Sequence, residues 1–268
     1  MPDQQRLKQI TDRILSDLRA TVMDFRITEE EIHDAATFFD RVGQAGEFGS
    51  LLDIFFAVTS VIATQGDAGG TTPNLAGPFY KAGAPLRKDG RLYEGEFPGG
   101  ETPLTVHGRV TEAATGEPVP HAVLDVWQAD GNGDYDVTGY HLRGLIPVDE
   151  DGCYVYHTVL PEGYEISAKG PTKRLLTAIG QHDWRPAHIH LRVHVGDTTA
   201  LQTQFFMAGA RFLDSDPVDG VRSELIVEHR PVTDGAAREA RFDICLALDR
   251  ALPARSMEDG PRVHAALS

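Results

Sequence analysis

The amino-acid sequence predicts a mainly β protein, an antiparallel β-sandwich preceded by an α-helical region. Apolar residues near the N-terminus recur at spacings of three and four, as on one face of a helix. From about residue 103 the pattern changes to short alternating runs bounded by turn residues, with no helical segments between them. Strands in that arrangement favour a sandwich over a parallel sheet. We assign residues 1–72 to the helical and linker region and residues 73–268 to the β-sandwich domain.

Three helices are predicted in the first region. In the first, apolar residues that share one stripe fall at three- and four-residue spacings, at Leu7, Ile10, Ile14 and Leu18. The second helix should begin at Thr28, since Thr28 followed by Glu31 has the form of a capping box. The third segment, Leu51 to Ile62, is apolar on all sides and should be buried against the sandwich or a partner subunit.

Five segments of the second region have the composition of strands. They are rich in β-branched and aromatic residues and are separated by turns such as Asp149 to Gly152. The predicted strands are Leu104 to Val110, Ala122 to Trp127, Tyr154 to Leu160, Ile189 to Val195 and Leu201 to Met207. The last fifteen residues, with Pro253 and Pro261, are expected to form a loosely held tail.

Composition excludes several classes of partner. The chain carries 40 acidic and 25 basic residues, and this net charge of −15 argues against binding to nucleic acid or an anionic membrane. The two cysteines, Cys153 and Cys245, lack the spacing of a metal site or a disulfide framework and fit a reducing compartment. The N-terminus has no apolar signal segment, and no run approaches the length of a membrane span. We therefore expect a cytoplasmic protein.

The segment from Trp184 to His190 carries the most specific signal. Residues 188–195 alternate, so that His188 and His190 share one face with Arg192 while the apolar residues between them point into a core. Two imidazoles on one face of a strand can bind a single metal ion. On this motif alone, an edge strand with a polar outer face is the more frequent explanation.

Two tyrosines in loops could complete such a site. Tyr135 follows the flexible segment Asp130 to Asp134, and Tyr164 ends the turn Leu160 to Tyr164 after a predicted strand. Taken singly, each is more often an aromatic packing residue with a hydrogen-bonded hydroxyl.

Together these segments resemble the intradiol ring-cleaving dioxygenases of the catechol, chlorocatechol and hydroxyquinol 1,2-dioxygenase group, over roughly residues 47–230. Five motifs match in order, which makes coincidence an unlikely explanation. The matching segments are Leu75 to Tyr80, Leu124 to Ala129, Leu160 to Tyr164 with Gly170 to Thr172, Trp184 to His190, and Gln202 to Gln204.

The resemblance implies an oxidoreductase that holds Fe(III) through Tyr135, Tyr164, His188 and His190. Phenolate oxygens are hard donors that favour ferric iron, and imidazoles also suit iron. The substrates implied are O2 and a small aromatic diol, catechol or a substituted catechol, which is cleaved to a cis,cis-muconate. Tyr164 would be the displaceable axial ligand opposite His190, with Tyr135 and His188 in the equatorial plane. Arg185 would stabilise negative charge on the substrate, with Gln204 as its polar partner.

The same resemblance also implies a substrate pocket. Matching positions suggest that the ring-binding cavity is lined by Asp53, Leu75, Gly77, Pro78, Phe79, Pro217 and Val218. Ordinary core packing explains each of them at least as well, except that the Asp53 carboxylate would be costly in an apolar helix if unpaired. Residues 212–216 look more like the chlorocatechol enzymes, whereas residues 135–137 look like the hydroxyquinol enzymes, which yield maleylacetate. The preferred catechol is therefore left open.

The resemblance also implies a homodimer formed through the helical region, with a phospholipid bound at the helical interface in some relatives. Two alternatives from other classes remain open at this stage. One is a non-catalytic β-sandwich binding module without a metal, and the other is a zinc or copper enzyme that uses the same pair of histidines.

Overall fold

A computed structural model describes residues 3–66, 69–166, 170–232 and 235–248. The predicted C-terminal tail lies outside these residues. The helices are α1 Gln4–Phe25, α2 Glu29–Gln44, α3 Phe48–Leu52, α4 Val58–Gln65 and α5 Pro171–Ala178, with a π-helical turn Asp53–Ala57 between α3 and α4 and a 3-10 turn Ser223–Leu225.

The start of helix α2 confirms the predicted capping box. The Thr28 hydroxyl accepts a hydrogen bond from the Glu31 amide at 3.2 Å, and a Glu31 carboxylate oxygen accepts one from the Thr28 amide at 2.8 Å. Both amides would otherwise lack a partner in the first turn. The apolar stripe of α1 is present as predicted, but within one chain it stays exposed, for example at Leu18, which is 56% exposed.

Helix α3, the π-helical turn and α4 form one continuous helical run, Phe48–Gln65. One side, with Ile54 and Val58, is buried in a small apolar cluster, whereas Phe56 on the other side is 60% exposed. The predicted burial against the sandwich is therefore correct for one face only. Length and composition alone would allow these 18 residues to cross a membrane, which corrects the sequence-based statement that no run approaches that length. A packed helix of a soluble protein meets the same criterion.

The second region is built from two five-stranded sheets and a two-stranded ribbon. The strands are β1 Pro103–Glu112, β2 Val123–Gln128, β3 Arg143–Pro147, β4 Cys153–Val159, β5 Tyr164–Glu165, β6 Trp184–Arg185, β7 His188–Val195, β8 Thr198–Met207, β9 Ile226–Val227, β10 His229–Pro231, β11 Arg238–Arg241 and β12 Ile244–Leu246. All five predicted strands are present, whereas β3, helix α5 and the short strands were not predicted.

The mainly β fold class is confirmed, with one correction to strand direction. The long pairs β1–β4, β2–β7 and β7–β8 are antiparallel, but β1 pairs in parallel with β11 and β12, and β8 pairs in parallel with β9. The sheets are therefore mixed. An alternating pattern shows which face of a strand is buried, but it carries no information on the direction of the neighbouring strand.

Strand β7 occupies the middle of its sheet, between β2 and β8, and connects the core to the site. Ile189, Leu191 and Val193 lie in the main apolar core between the sheets, as the alternation predicts. His188 and His190 project from the opposite face and are themselves buried beneath the loops that cover it. The fold thus places two imidazoles on a rigid strand inside a closed site.

Candidate metal centre

The two histidines of β7 point the same nitrogen at one place. Their Nε2 atoms lie 3.0 Å apart. The Nδ1 of His188 lies 2.7 Å from the Pro186 carbonyl, which can only accept, so Nδ1 carries the proton and Nε2 presents a lone pair. The ring of His190 stacks on the Trp127 indole, with centroids 5.0 Å apart and planes 4° from parallel. Both imidazoles are thus held in orientations suited to binding a cation.

The two tyrosines reach the histidines from separate loops. Tyr135 lies in the loop between β2 and β3, and its hydroxyl is 3.4 Å from the Nε2 of His188. Tyr164 is the first residue of β5, where it pairs with Arg185 of β6. Its ring centroid lies 5.5 Å from that of Tyr135 and 5.7 Å from that of His188. The structure therefore brings the four predicted ligands together.

The spacing of these donor atoms fits one metal ion. Ligand atoms about 2.0–2.1 Å from a first-row metal lie about 2.9–3.0 Å apart at a right angle and about 3.5–3.6 Å apart at 120°. The 3.0 Å between the imidazole nitrogens and the 3.4 Å from the Tyr135 hydroxyl to His188 are close to these two values. Two phenols and two imidazoles form a donor set that suits ferric iron.

The protein environment of the site favours neutral forms of the four side chains. Burial raises the pKa of both Tyr135 and Tyr164, and the positive charge of Arg185 only partly offsets this effect. Burial also lowers the pKa of His188 and His190, and Arg185 lowers both further. The imidazoles are therefore unprotonated and available as ligands at neutral pH, whereas the phenols need a nearby positive charge to ionise.

Arg185 lies directly beside the proposed ligands. Its Nη1 is 3.2 Å from the Nε2 of His188, and its Nη2 donates to Gln204 at 3.3 Å. Burial alone would lower the pKa of Arg185, but the charge of Asp216 and the neighbouring Tyr164 hydroxyl raise it above its ordinary value. A permanent buried cation thus faces the centre of the site.

Three of the predicted pocket residues take well-defined positions. Gly77 has a φ of +66°, in the left-handed region that favours glycine, and a Cβ added there would be in van der Waals contact with the Cε1 of His190 at 3.4 Å. Phe79 stacks on Tyr135 with centroids 4.4 Å apart and meets Tyr164 edge-on. Leu75 is buried in the small apolar cluster with the helical run.

Among the described residues, the other predicted pocket positions make no hydrogen bond or ring contact with the four proposed ligands, although the Val218 amide donates to Asp216 at 3.5 Å. Val218 is buried in the same apolar cluster as Leu75, Pro217 is half-buried and Pro78 is exposed. Asp53 has an exposed side chain, although partial burial raises its pKa, so the expected cost of a fully enclosed carboxylate does not arise. The pocket roles of these four residues stay predictions.

Two buried charged residues at the site, Arg143 and Asp216, were not predicted from the sequence. Arg143 donates from Nε to the Asp136 carbonyl at 3.0 Å and from Nη1 to the Phe79 carbonyl at 2.6 Å. Asp216 forms the buried ion pair with Arg185. The available signal was weak, because a single arginine at the start of a short strand or a single aspartate in a loop matches no spacing rule.

Comparison with known proteins agrees with this geometry. Residues 75–248 match the family model described as "Dioxygenase", and residues 4–69 match the model described as "Catechol dioxygenase N terminus". The chain is 32% identical to the chlorocatechol 1,2-dioxygenase of Pseudomonas sp. strain P51, over 92% of this chain and 98% of that protein. It is 35% identical to the 6-chlorohydroxyquinol 1,2-dioxygenase of Cupriavidus pinatubonensis strain JMP 134, over 90% of each chain.

Solved structures show the same similarity in three dimensions. The crystal structure of 3-chlorocatechol 1,2-dioxygenase from Rhodococcus opacus 1CP superposes with a TM-score of 0.84 at 28% identity, covering 91% of this chain and 99% of that one. Hydroxyquinol 1,2-dioxygenase from Pseudomonas putida DLL-E4 gives 0.82 at 31% identity, covering 92% and 93%. The chain therefore belongs to the intradiol ring-cleavage dioxygenases, a family of oxidoreductases that includes the catechol 1,2-dioxygenases.

Proposed function

We propose that this protein is a non-haem Fe(III) intradiol dioxygenase that cleaves catechol or a substituted catechol with O2 to the corresponding cis,cis-muconate. The observation that carries the proposal is the convergence of two imidazole nitrogens and a phenol oxygen within 3.0–3.4 Å in a buried site. Tyr135, Tyr164, His188 and His190 would hold the iron.

Ferric iron in this site would supply the positive charge that both phenols and a bound catechol need in order to lose their protons. Tyr164 would accept a catechol proton at its phenolate oxygen, because the positive charge of Arg185 lowers the pKa of Tyr164 and so favours the phenolate. Arg185 also stabilises negative charge on the substrate through Nη1, because burial leaves little water to screen it. Phe79, stacked on Tyr135, shields the site from solvent.

The comparisons leave the preferred substrate open, since similar relatives are named for chlorocatechol, 6-chlorohydroxyquinol and catechol. We propose catechol or a chlorinated or methylated catechol, with hydroxyquinol, which would give maleylacetate, as the alternative. Steady-state rates on a panel of these four substrates under air distinguish them. One missing or added ring substituent changes the free energy of transition-state binding by about 1–3 kcal/mol, which is measurable as a difference in kcat/KM.

A visible spectrum of concentrated protein tests the iron site. We expect a red-brown tyrosinate-to-iron band that shifts when catechol is added under nitrogen. A colourless, metal-free protein would instead support a non-catalytic β-sandwich module. A protein that contains zinc or copper and lacks this band would support a different metalloenzyme.

We further propose a cytoplasmic homodimer assembled through the helical region, with phospholipid at that interface. The support is an apolar groove of about 570 Å³ between α2 and the helical run, lined by Phe38, Phe39, Phe48, Leu52, Phe55 and Phe56. An open apolar groove of this size is a liability in water unless it is covered. Mass analysis of the denatured protein would detect a co-purified lipid, and its absence would remove that part of the proposal.

A further inference from the structure

The guanidinium of Arg185 belongs to a closed ring of hydrogen bonds. Arg185 Nη2 donates to Gln204 Oε1 at 3.3 Å, and Gln204 Nε2 donates to Asn74 Oδ1 at 2.9 Å. Asn74 Nδ2 donates to the Gly220 carbonyl at 2.7 Å, and the Gly220 amide donates to Asp216 Oδ2 at 3.1 Å. The Asp216 carboxylate completes the ring by accepting hydrogen bonds from Nε and Nη2 of Arg185, each at 3.2 Å.

This ring determines which donor of Arg185 faces the site. Asp216 and Gln204 occupy Nε and Nη2, and the remaining nitrogen, Nη1, lies 3.2 Å from the Nε2 of His188. A planar guanidinium held by two parallel hydrogen bonds to one carboxylate has little freedom to turn. The contacts with Asp216 therefore hold Nη1 beside His188, at the edge of the proposed iron and substrate site.

The ring is enclosed, so its members cannot exchange these contacts for water. The side chains of Arg185 and Asp216 are 2% and 1% exposed. Asn74 and Gln204 are also buried. Without a carboxylate partner, the buried cation would lose its charge compensation and its fixed orientation together.

Gly220 lies at the centre of the ring and leaves no room for a side chain. A Cβ at this position would lie 2.9 Å from Gln204 Nε2, 3.0 Å from Asp216 Oδ2 and 3.1 Å from Arg185 Nη2. Its replacement by alanine would displace the ring while leaving every polar side chain in place.

We propose that Asp216 is a positioning residue for Arg185, and that Asn74 and Gly220 close the ring that keeps Nη1 directed at the substrate. The ring also includes the pocket wall, because the Leu75 amide donates to Asn74 Oδ1 at 2.9 Å. The inference rests on the proposed dioxygenase function and on the role of Arg185 within it.

A double-mutant cycle in the iron-loaded enzyme tests this inference. The variants are Asp216→Asn, Arg185→Leu and the two combined, and Asp219→Asn is the matched control. Asp219 lies on the same loop, but its side chain is 91% exposed. We expect Asp216→Asn to lower kcat about 10²-fold, the effect of misplacing a catalytic group by about 1 Å, while iron content and KM change little. The kcat of the combined variant should equal that of Arg185→Leu alone. Asp216 acts through Arg185, so its replacement should have no further effect once Arg185 is absent.

Losses in kcat that multiply in the combined variant would overturn the proposal, as would a kcat for Asp216→Asn equal to that of the control. Unchanged turnover per iron in Arg185→Leu would instead contradict the proposed role of Arg185 itself. Should Asp216→Asn not fold, Gly220→Ala takes its place in the same cycle. The catechol-induced spectral change under nitrogen then shows whether substrate still binds, and wild-type kcat in Gly220→Ala would overturn the proposal.

Discussion

Arg143 is a buried cation that no carboxylate pairs with among the residues the structure describes. Its side chain donates hydrogen bonds to the backbone carbonyls of Asp136 and Phe79. Asp136 follows Tyr135 in the chain, and the Phe79 ring stacks on the Tyr135 ring. Burial lowers the pKa of Arg143, and the nearby Tyr135 is the largest influence that raises it. A phenolate at Tyr135 would therefore add to the negative charge that Asp136 and Asp125 already place near this arginine.

Arg143→Met should weaken iron binding about 10- to 100-fold, the usual effect of losing a group that supports a metal ligand. The remaining tyrosinate band should move to longer wavelength, because an electron leaves the Tyr135 ring more readily without a positive charge nearby. Iron titration and the visible spectrum measure the two effects, and Arg143→Lys should restore part of each.

Arg192→Met is the matched control for this experiment. Arg192 lies on the ligand strand, but its guanidinium stacks on the Tyr80 ring, 3.6 Å from the centroid, whereas that of Arg143 lies over the Tyr135 ring. An equal spectral shift in both variants would contradict a specific role for Arg143.

Individual residues differ in how well the sequence predicts them. His188 and His190 could be singled out because strand alternation places both on one face, which needs only local geometry. Arg143 and Asp216 could not, since their partners are carbonyls and side chains brought near by loops far apart in the chain. The hydrogen-bond partners of such groups depend on the completed fold.

Among the secondary-structure elements, helix α5 takes its N-terminal cap from another part of the chain. Gly170 precedes the helix and has no side chain that could cap it. Instead, the carboxylate of Glu47, which lies between α2 and α3, accepts a hydrogen bond from the Thr172 amide at 2.9 Å. A Cβ at Gly170 would lie 1.3 Å from a carboxylate oxygen of Glu47, so the glycine makes room for this contact. The helical region is thereby connected to the segment that follows Tyr164.

Glu47→Ala should lower the free energy of unfolding by about 0.5–2 kcal/mol, as the loss of an N-cap does, and Glu47→Gln by less because it keeps an acceptor. Urea unfolding followed by circular dichroism measures both. Glu150→Ala, an exposed turn residue, should stay within about 0.5 kcal/mol of the parent protein. Equal effects of Glu47→Ala and Glu150→Ala would refute the capping role.

The elements with a local sequence signal were predicted and those without one were not. The Thr28 capping box and the long alternating strands depend on spacing within a few residues. Helix α5 is only eight residues long, and the parallel strands β11 and β12 contribute only short pairings to β1. Tertiary contacts rather than propensity select such short segments.

At the scale of the whole molecule, the helical region presents apolar side chains that a single chain leaves uncovered. Phe25 is 79% exposed, Met23 is 77% exposed and Phe56 is 60% exposed. A partner subunit against this region was predicted, but the hydrophobic pattern alone could not tell which faces of the helices the sandwich would cover. A second copy of the chain would remove this surface from water.

Phe56→Asp should shift the proposed dimer to monomer, because a charge on an apolar surface is costly to bury in an interface. Sedimentation equilibrium at micromolar concentration measures the change. Val155→Asp is the control, since Val155 is an exposed apolar residue on strand β4 of the sandwich. A monomeric parent protein, or dissociation caused equally by both substitutions, would contradict the proposed dimer.

The alternation along β7 also protects the chain from assembling incorrectly. A shift of one residue in the register of β7 against β2 or β8 would place the imidazoles in the hydrophobic core and Ile189 and Leu191 on the opposite face. Such a shift would expose the apolar residues of β7 and so destabilise the whole sandwich. The register that buries these residues therefore also places both histidines on the site face. Packing of the core thus determines the orientation of the two histidines in the proposed catalytic centre independently of iron or catechol binding.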